Sequence, residues 1–151
     1  MKNPTKLWKD LVYRFAEQSK CKSRQVGAVV VKGGRLVAQG WNSAPKGSNT
    51  DQCTRAKCCG LEQASGANLS EAICCHAEAN AIANCSKEGI STDGAALYCT
   101  TFPCPECAKL IVGSGIDYIC YDQDYGQSEL AFKILTSGRV TITRFKDIEK
   151  Q

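Results

Sequence analysis

The sequence predicts an α/β fold, a three-layer α/β/α arrangement around a mixed five-stranded sheet. Three observations carry that expectation. Two β-rich runs meet at Gly33-Gly34, helix-like and strand-like segments alternate from about residue 75 onward, and 151 residues suffice for one sizeable core but not comfortably for two. A single domain over residues 1–151 follows, with a polar, Cys-rich insertion at about 42–70.

Leu7, Leu11 and Phe15, joined by Trp8 and Val12, recur at helical spacing between Pro4 and Ser19 and predict an amphipathic first helix. VGAVVVK (Val26 to Lys32) and RLVAQGW (Arg35 to Trp41) flank the two glycines and predict a β-hairpin. From Asn42 to Ser70 the chain is rich in Gly, Ser, Asn, Asp, Pro and Cys with little periodicity, which predicts a long loop of the functional or pinned kind. A helix is then expected near Cys75 to Ser86, a strand over AALYCTT (Ala95 to Thr101) and a helix from Pro105 to Val112. A strand over IDYICYD (Ile116 to Asp122), a helix from Ser128 to Leu135 and a strand over RVTITRF (Arg139 to Phe145) complete the series. Strands separated by helices of this length pair in parallel with the helices covering the faces.

Composition narrows the function. With 43% hydrophobic and 23% charged residues the chain reads as a globular protein. No run approaches the roughly 18–20 apolar residues of a membrane span, and the start MKNPTKLWKDL lacks the apolar stretch of a signal peptide, so a cytoplasmic location is expected. Residues 1–35 hold nine Lys/Arg against two acids, while the remainder holds ten against thirteen. A basic end of this kind is a solvated face or a surface for phosphate groups. Eleven cysteines, an odd number, in a reducing compartment point to thiols serving as metal ligands rather than to disulfides. Cys85, Cys99 and Cys120 lie in apolar segments and are expected to be buried as small hydrophobes.

His76 is the only histidine, and Glu78 follows it by two residues in CHAEANAI. In TFPCPEC, Cys104 and Cys107 are spaced i, i+3 at a predicted helix start, with Pro105 at the first helical position. Both sulfurs then lie at the positive end of a helix, which favours thiolates. A bare C-x-x-C also suits a redox pair. Here, however, it follows a strand that is itself preceded by the helix of His76, so all three residues reach the same edge of the sheet, where open α/β sheets bind ligands. One His and two Cys leave a zinc ion one open position for water, the form of a catalytic site. Glu78, in the first turn and not a ligand, is placed to move that water's proton.

H-x-E followed by P-C-x-x-C is the signature of the zinc nucleobase deaminases. The chain resembles the zinc-dependent cytidine and deoxycytidylate deaminase superfamily from about Lys20 to its last strand, through VGAVVV, GWNSAPKG, CHAEANAI, LYCTTFPCPECAKLI and SGIDYICYDQDY in that order. Within it the likeness is to the dCMP deaminases, including those of bacteriophages, whose location would be the host cytoplasm. The resemblance implies a cytidine-deaminase-like fold and hydrolysis of dCMP to dUMP and ammonia, feeding thymidylate synthesis. It implies Glu78 as proton shuttle and His76, Cys104 and Cys107 as zinc ligands. It also implies a substrate set in which Asn42 meets the deoxyribose, Arg24 the 5′-phosphate and Tyr125 closes the pocket, with Ser43 and Ala44 beside them. Plainer readings stand next to these: a turn-stabilising Asn42, a solvated Arg24, a packing Tyr125.

Further implications are a homohexamer activated by dCTP and inhibited by dTTP, each with Mg2+, and no nucleic-acid or membrane partner. A second, structural zinc held by Cys21, Cys53, Cys58 and Cys74, with Cys59 or Cys75 able to replace a neighbour, would pin the insertion as a Cys₄ site. The pattern departs from the family at Trp41, Ser43 and Gln52, where tyrosine, glycine and histidine are usual. A tRNA adenosine deaminase shares the two zinc motifs but has a short insertion, whereas 34 residues separate Asn42 from His76 here. A non-catalytic zinc-binding interaction domain is the alternative from outside the enzyme class.

Overall fold

The computed structural model describes residues 4–21, 23–48, 73–126 and 128–148. Five strands form one sheet in the order β2-β1-β3-β4-β5. They are β1 (Gly27–Lys32), β2 (Arg35–Trp41), β3 (Ala96–Thr101), β4 (Tyr118–Gln123) and β5 (Thr141–Arg144). The first pairings, β2 with β1 and β1 with β3, are antiparallel, and β3–β4 and β4–β5 are parallel, so the sheet is mixed as expected. The hairpin turns at Gly33 and Gly34, whose φ angles of 57° and 72° are the left-handed pair a two-residue primed turn demands.

The helices are α1 (Pro4–Ala16), α2 (Ala77–Lys87), α3 (Pro105–Gly113), α4 (Ser128–Ser137) and the short α5 (Phe145–Ile148). Two parallel β-α-β crossovers, each right-handed by the usual rule, put α3 and α4 on one face of the sheet. There Ala81, Cys85, Ala108, Ile111, Ala131 and Leu135 of α2, α3 and α4 close over Ala28, Val30, Leu97 and Ile119. On the other face Trp8 and Val12 of α1, with Phe145 of α5, pack on Val29, Val31 and Cys120. The alternation of Ala28 and Val30 with Val29 and Val31 is the period-two pattern of a strand covered on both sides. Cys85, Cys99 and Cys120 are fully buried, as expected of small apolar side chains.

Two local expectations are corrected. In α1 Trp8, Val12 and Ala16 are buried with Leu11 and Phe15 packed half-buried beside them, and of the expected apolar face Leu7 alone, 51% exposed, turns to solvent. Burying the indole wins, because it meets Tyr98 at 5.9 Å between ring centroids and removes the largest apolar surface from water. At the other end the last strand stops at Arg144, and Phe145 opens α5 instead of ending the strand. No helix among the described residues is long and apolar enough to cross a membrane.

Candidate active site

The residues singled out by the sequence converge where α2 and α3 begin. His76 is the N-cap of α2 and Cys104 the N-cap of α3, with Pro105 in the first turn. Those two helix starts lie side by side because β3 feeds directly into α3 while α2 packs over β1 and β2. His76 Nδ1 lies 3.3 Å from Cys104 Sγ and 3.4 Å from Cys107 Sγ. The three ligand atoms are mutually within 4.8 Å, and among the described residues this is the one such group of three or more.

Metal geometry tests the cluster. Zn–S near 2.3 Å and Zn–N near 2.0 Å at a tetrahedral angle place nitrogen and sulfur roughly 3.5 Å apart. The observed separations match, and the donor set is the borderline-soft mixture zinc prefers. Protonation agrees. The hydrogen bond with Cys107, helped by His76, holds the Cys104 thiol low, at about 4, while Cys107 is pushed upward by sharing its partner's charge and by burial. The backbone N–H of Cys107 also points at Cys104 Sγ from 3.5 Å, as expected at a helix N-terminus. A bound dication would need both thiols deprotonated, so its binding would release a proton from the pair.

Glu78 sits in the first turn of α2, 4% exposed, with Cys107 donating its S–H to Oε2 across 3.6 Å. Burial raises its carboxyl above the ordinary carboxylate range, opposed in part by His76. Glu78, His76 and Cys104 line one cavity, together with Arg24, Val26, Asn42 and Cys74. Its remaining wall is Ala77, Thr101, Phe102 and Tyr125.

Arg24 and Tyr125 meet here, the guanidinium lying 5.5 Å from the ring centroid. Arg24 Nη1 is buried without a hydrogen-bond partner, an unusual state for a cation's donor. Asn42 lines the cavity but is already employed: Oδ1 accepts from Val26 N at 2.8 Å and Nδ2 donates to the Arg24 carbonyl at 2.8 Å. It therefore fixes the backbone that carries Arg24. Ser43 and Ala44 do not line the cavity; Ser43 instead forms a two-bond bridge with Cys75.

Cys74, expected with Cys21 in a second zinc site, lines this cavity, and Cys21 is buried beneath the segment after α1. Cys53 and Cys58 lie outside the described residues. Phe102 and Thr101 were not anticipated as wall residues. The signal was available, since both stand between the end of β3 and the Cys104 cap in TFPCPEC. Phe102 is held by its N–H to the Gln123 carbonyl at 2.8 Å and by the edge of Tyr121 at 4.8 Å.

Residues 2–123 match the family model described as the cytidine and deoxycytidylate deaminase zinc-binding region. The chain belongs to that family. Among relatives, the deoxycytidylate deaminase of Saccharomyces cerevisiae is 33% identical over 135 residues, 89% of this chain and 42% of the yeast protein. This chain thus spans about two fifths of that relative's length. The deoxycytidylate deaminase of Enterobacteria phage T4 is 30% identical, with 79% of this chain and 77% of the phage protein covered. Among solved structures, the dCMP deaminase of cyanophage S-TIM5 in complex with dCMP and dUMP is 30% identical, covers 95% of this chain and 98% of its own, and superposes with a TM-score of 0.77. The deaminase fold expected from the motifs is therefore the fold observed, and zinc belongs with the family region these residues occupy.

Proposed function

We propose that the protein hydrolyses dCMP to dUMP and ammonia. One observation carries the reading: a single cavity is lined by the His76, Cys104 and Glu78 cluster and by Arg24, whose buried Nη1 lacks a partner. A cytosine with its amino group at the cluster and an anionic group at Arg24 satisfies both demands. The phage and cyanophage relatives named for deoxycytidylate support the same substrate.

His76 Nδ1, Cys104 Sγ and Cys107 Sγ hold the zinc, which when bound acts as a Lewis acid that makes water nucleophilic near neutrality. Glu78 takes the proton that the attacking water gives up and delivers it to N3 of the pyrimidine. It then moves the second proton to the amino nitrogen at C4 as the C–N bond breaks, so water and dCMP become dUMP and ammonia with no net proton change. Phe102 and Tyr125 give the base and sugar an apolar wall, and Arg24 pairs with the phosphate through charge-assisted hydrogen bonds. Asn42 meets the deoxyribose.

Regulation by dCTP and dTTP with Mg2+, a homohexameric assembly, a cytoplasmic location and a second zinc at Cys21 and Cys74 with Cys53 or Cys58 belong to the same reading. A deamination panel tests it, with dCMP, dCTP, cytidine, deoxycytidine and an adenosine-bearing RNA stem-loop as substrates. Ammonia from dCMP in preference to the others is expected. Turnover of the RNA alone would make the protein a tRNA adenosine deaminase, and no turnover with zinc bound would make it a non-catalytic zinc domain.

A further inference from the structure

Helix α2 carries both His76 and Glu78, and its fully buried apolar residues are the small Ala77, Ala81 and Cys85, with Ile82 half-buried beside them against the core. Small side chains let backbones approach closely but offer no large knob that would stop the helix sliding or rolling. The approach is close indeed: a Cβ added to Gly40 of β2 would lie 2.3 Å from the Ala77 carbonyl oxygen and 2.5 Å from Ala81 N. Directional bonds add to what fixes its register.

Two asparagines supply them. Asn80 Nδ2 donates to the Trp41 carbonyl at 2.8 Å, and Asn84 Nδ2 donates to the Gln39 carbonyl at 2.8 Å. Four helical residues rise about 6 Å and two strand residues about 6.7 Å, so the i, i+4 pair on α2 meets the i, i+2 carbonyls of β2 almost in phase. β2 is an edge strand, and these outward carbonyls would otherwise lack partners within the sheet.

The two bonds are not equivalent. Among the described residues, the Asn84 side-chain amide meets the Gln39 carbonyl alone. The Asn80 amide also reaches Ser43 Oγ at 3.3 Å and the Cys75 carbonyl at 3.5 Å. It therefore sits over the bridge in which Ser43 N bonds Cys75 O at 3.1 Å and Cys75 N bonds Ser43 O at 2.8 Å. Cys75 precedes His76, and Ser43 follows Asn42, so one side chain ties the residue before the ligand to the residue after the arm that holds Arg24.

We infer that Asn80 is a positioning residue, whose amide sets the height and rotation of the start of α2 against the loop after β2, and so places His76 and Glu78. The kinetic part rests on the deaminase reading above; the metal part does not. The test compares Asn80→Ala and the isosteric Asn80→Asp with Asn84→Ala in the full-length, zinc-loaded protein. Zinc release into excess chelator, thermal melting, and kcat and KM on dCMP are measured.

Loss of an orienting partner near a metal site typically costs 10- to 100-fold. Both Asn80 variants should accordingly release zinc roughly 10- to 100-fold faster and lose a similar factor in kcat, with KM moving less. Asn84→Ala should melt earlier yet stay within about twofold of wild type in zinc release and kcat. Equal zinc release and kcat across the Asn80 and Asn84 variants would overturn the inference, because both bonds would then be merely structural. If wild type does not deaminate dCMP, the functional reading fails on that result, while zinc release still decides for or against Asn80.

Discussion

Arg24→Ala separates phosphate recognition from every other role the residue could have. The backbone of this arm does not depend on the guanidinium, because Asn42 holds the Arg24 carbonyl and Val26 N, and Ser19 Oγ donates to the Asn42 carbonyl at 2.8 Å. Removing the side chain should therefore leave the fold and the zinc cluster intact. What is lost is one or two charge-assisted hydrogen bonds to phosphate, from a cation whose Nη1 is buried without a protein partner. Each such bond is worth about 1.5–3 kcal/mol. Arg24 is half-buried, so solvent screening favours the lower part of that range, and a total of roughly 2–4 kcal/mol is reasonable. That corresponds to a fall of roughly 30- to 1,000-fold in kcat/KM on dCMP. On deoxycytidine, which has no phosphate, the change should be below about threefold. Arg24→Lys keeps the charge but not the fork or the stack on Tyr125, and should recover only part of the loss. Ammonia release on both substrates, followed by a coupled assay, reads the difference. Equal losses on dCMP and deoxycytidine would refute the assignment and make Arg24 a structural residue.

Three other outcomes are expected. His76→Ala and Cys104→Ser should each lose zinc by elemental analysis together with activity, because each removes a ligand from the cluster; either variant keeping its full zinc complement would count against the ligand set. Phe145→Ala should destabilise the protein by roughly 3–5 kcal/mol in urea unfolding, since the ring is fully buried against Trp8 and Val12; a loss below about 1 kcal/mol would mean that this face of the sheet is not the core described. A second zinc would appear as two ions per chain, falling to one in a Cys21→Ser, Cys53→Ser double variant that stays active; one ion in fully loaded wild type would rule it out.

The His76, Cys104 and Cys107 cluster was legible because its chemistry is local in sequence. Two short motifs, each spanning one helix start, needed only a shared sheet edge to meet, and the β3-to-α3 connection provides it. The hairpin was legible for a similar reason, since Gly33-Gly34 admits few other conformations. What escaped depends on packing between distant segments. Nothing in the α1 pattern says whether Leu7 or Trp8 faces the sheet; the aromatic surface of Tyr98 and Phe145, about 90 and 137 residues further on, decides it. For Asn42 the turn-stabilising reading was legible beside the ligand one, but its bonds to the backbone at Arg24 and Val26 emerge only when the arm is placed. Asn80 carries no signal in the sequence, because a polar residue in a helix looks solvated until the edge of β2 is placed beside it. The Cys-rich insertion remains an expectation, as residues 49–72 lie outside the described part of the chain.

The central claim is that one carboxyl group moves the protons of a zinc-assisted deamination. Glu78→Gln tests it most directly, since the amide keeps the shape of a side chain that is 4% exposed and removes only its capacity to accept and return a proton. Conversion of dCMP to dUMP by wild type and variant, at zinc contents shown to be equal, is the measurement. Steady dUMP formation by wild type is expected, with a loss of roughly 10²–10⁴-fold or more in the variant with its metal retained. Near wild-type turnover by Glu78→Gln, or no dUMP from the zinc-loaded wild-type protein, would contradict it.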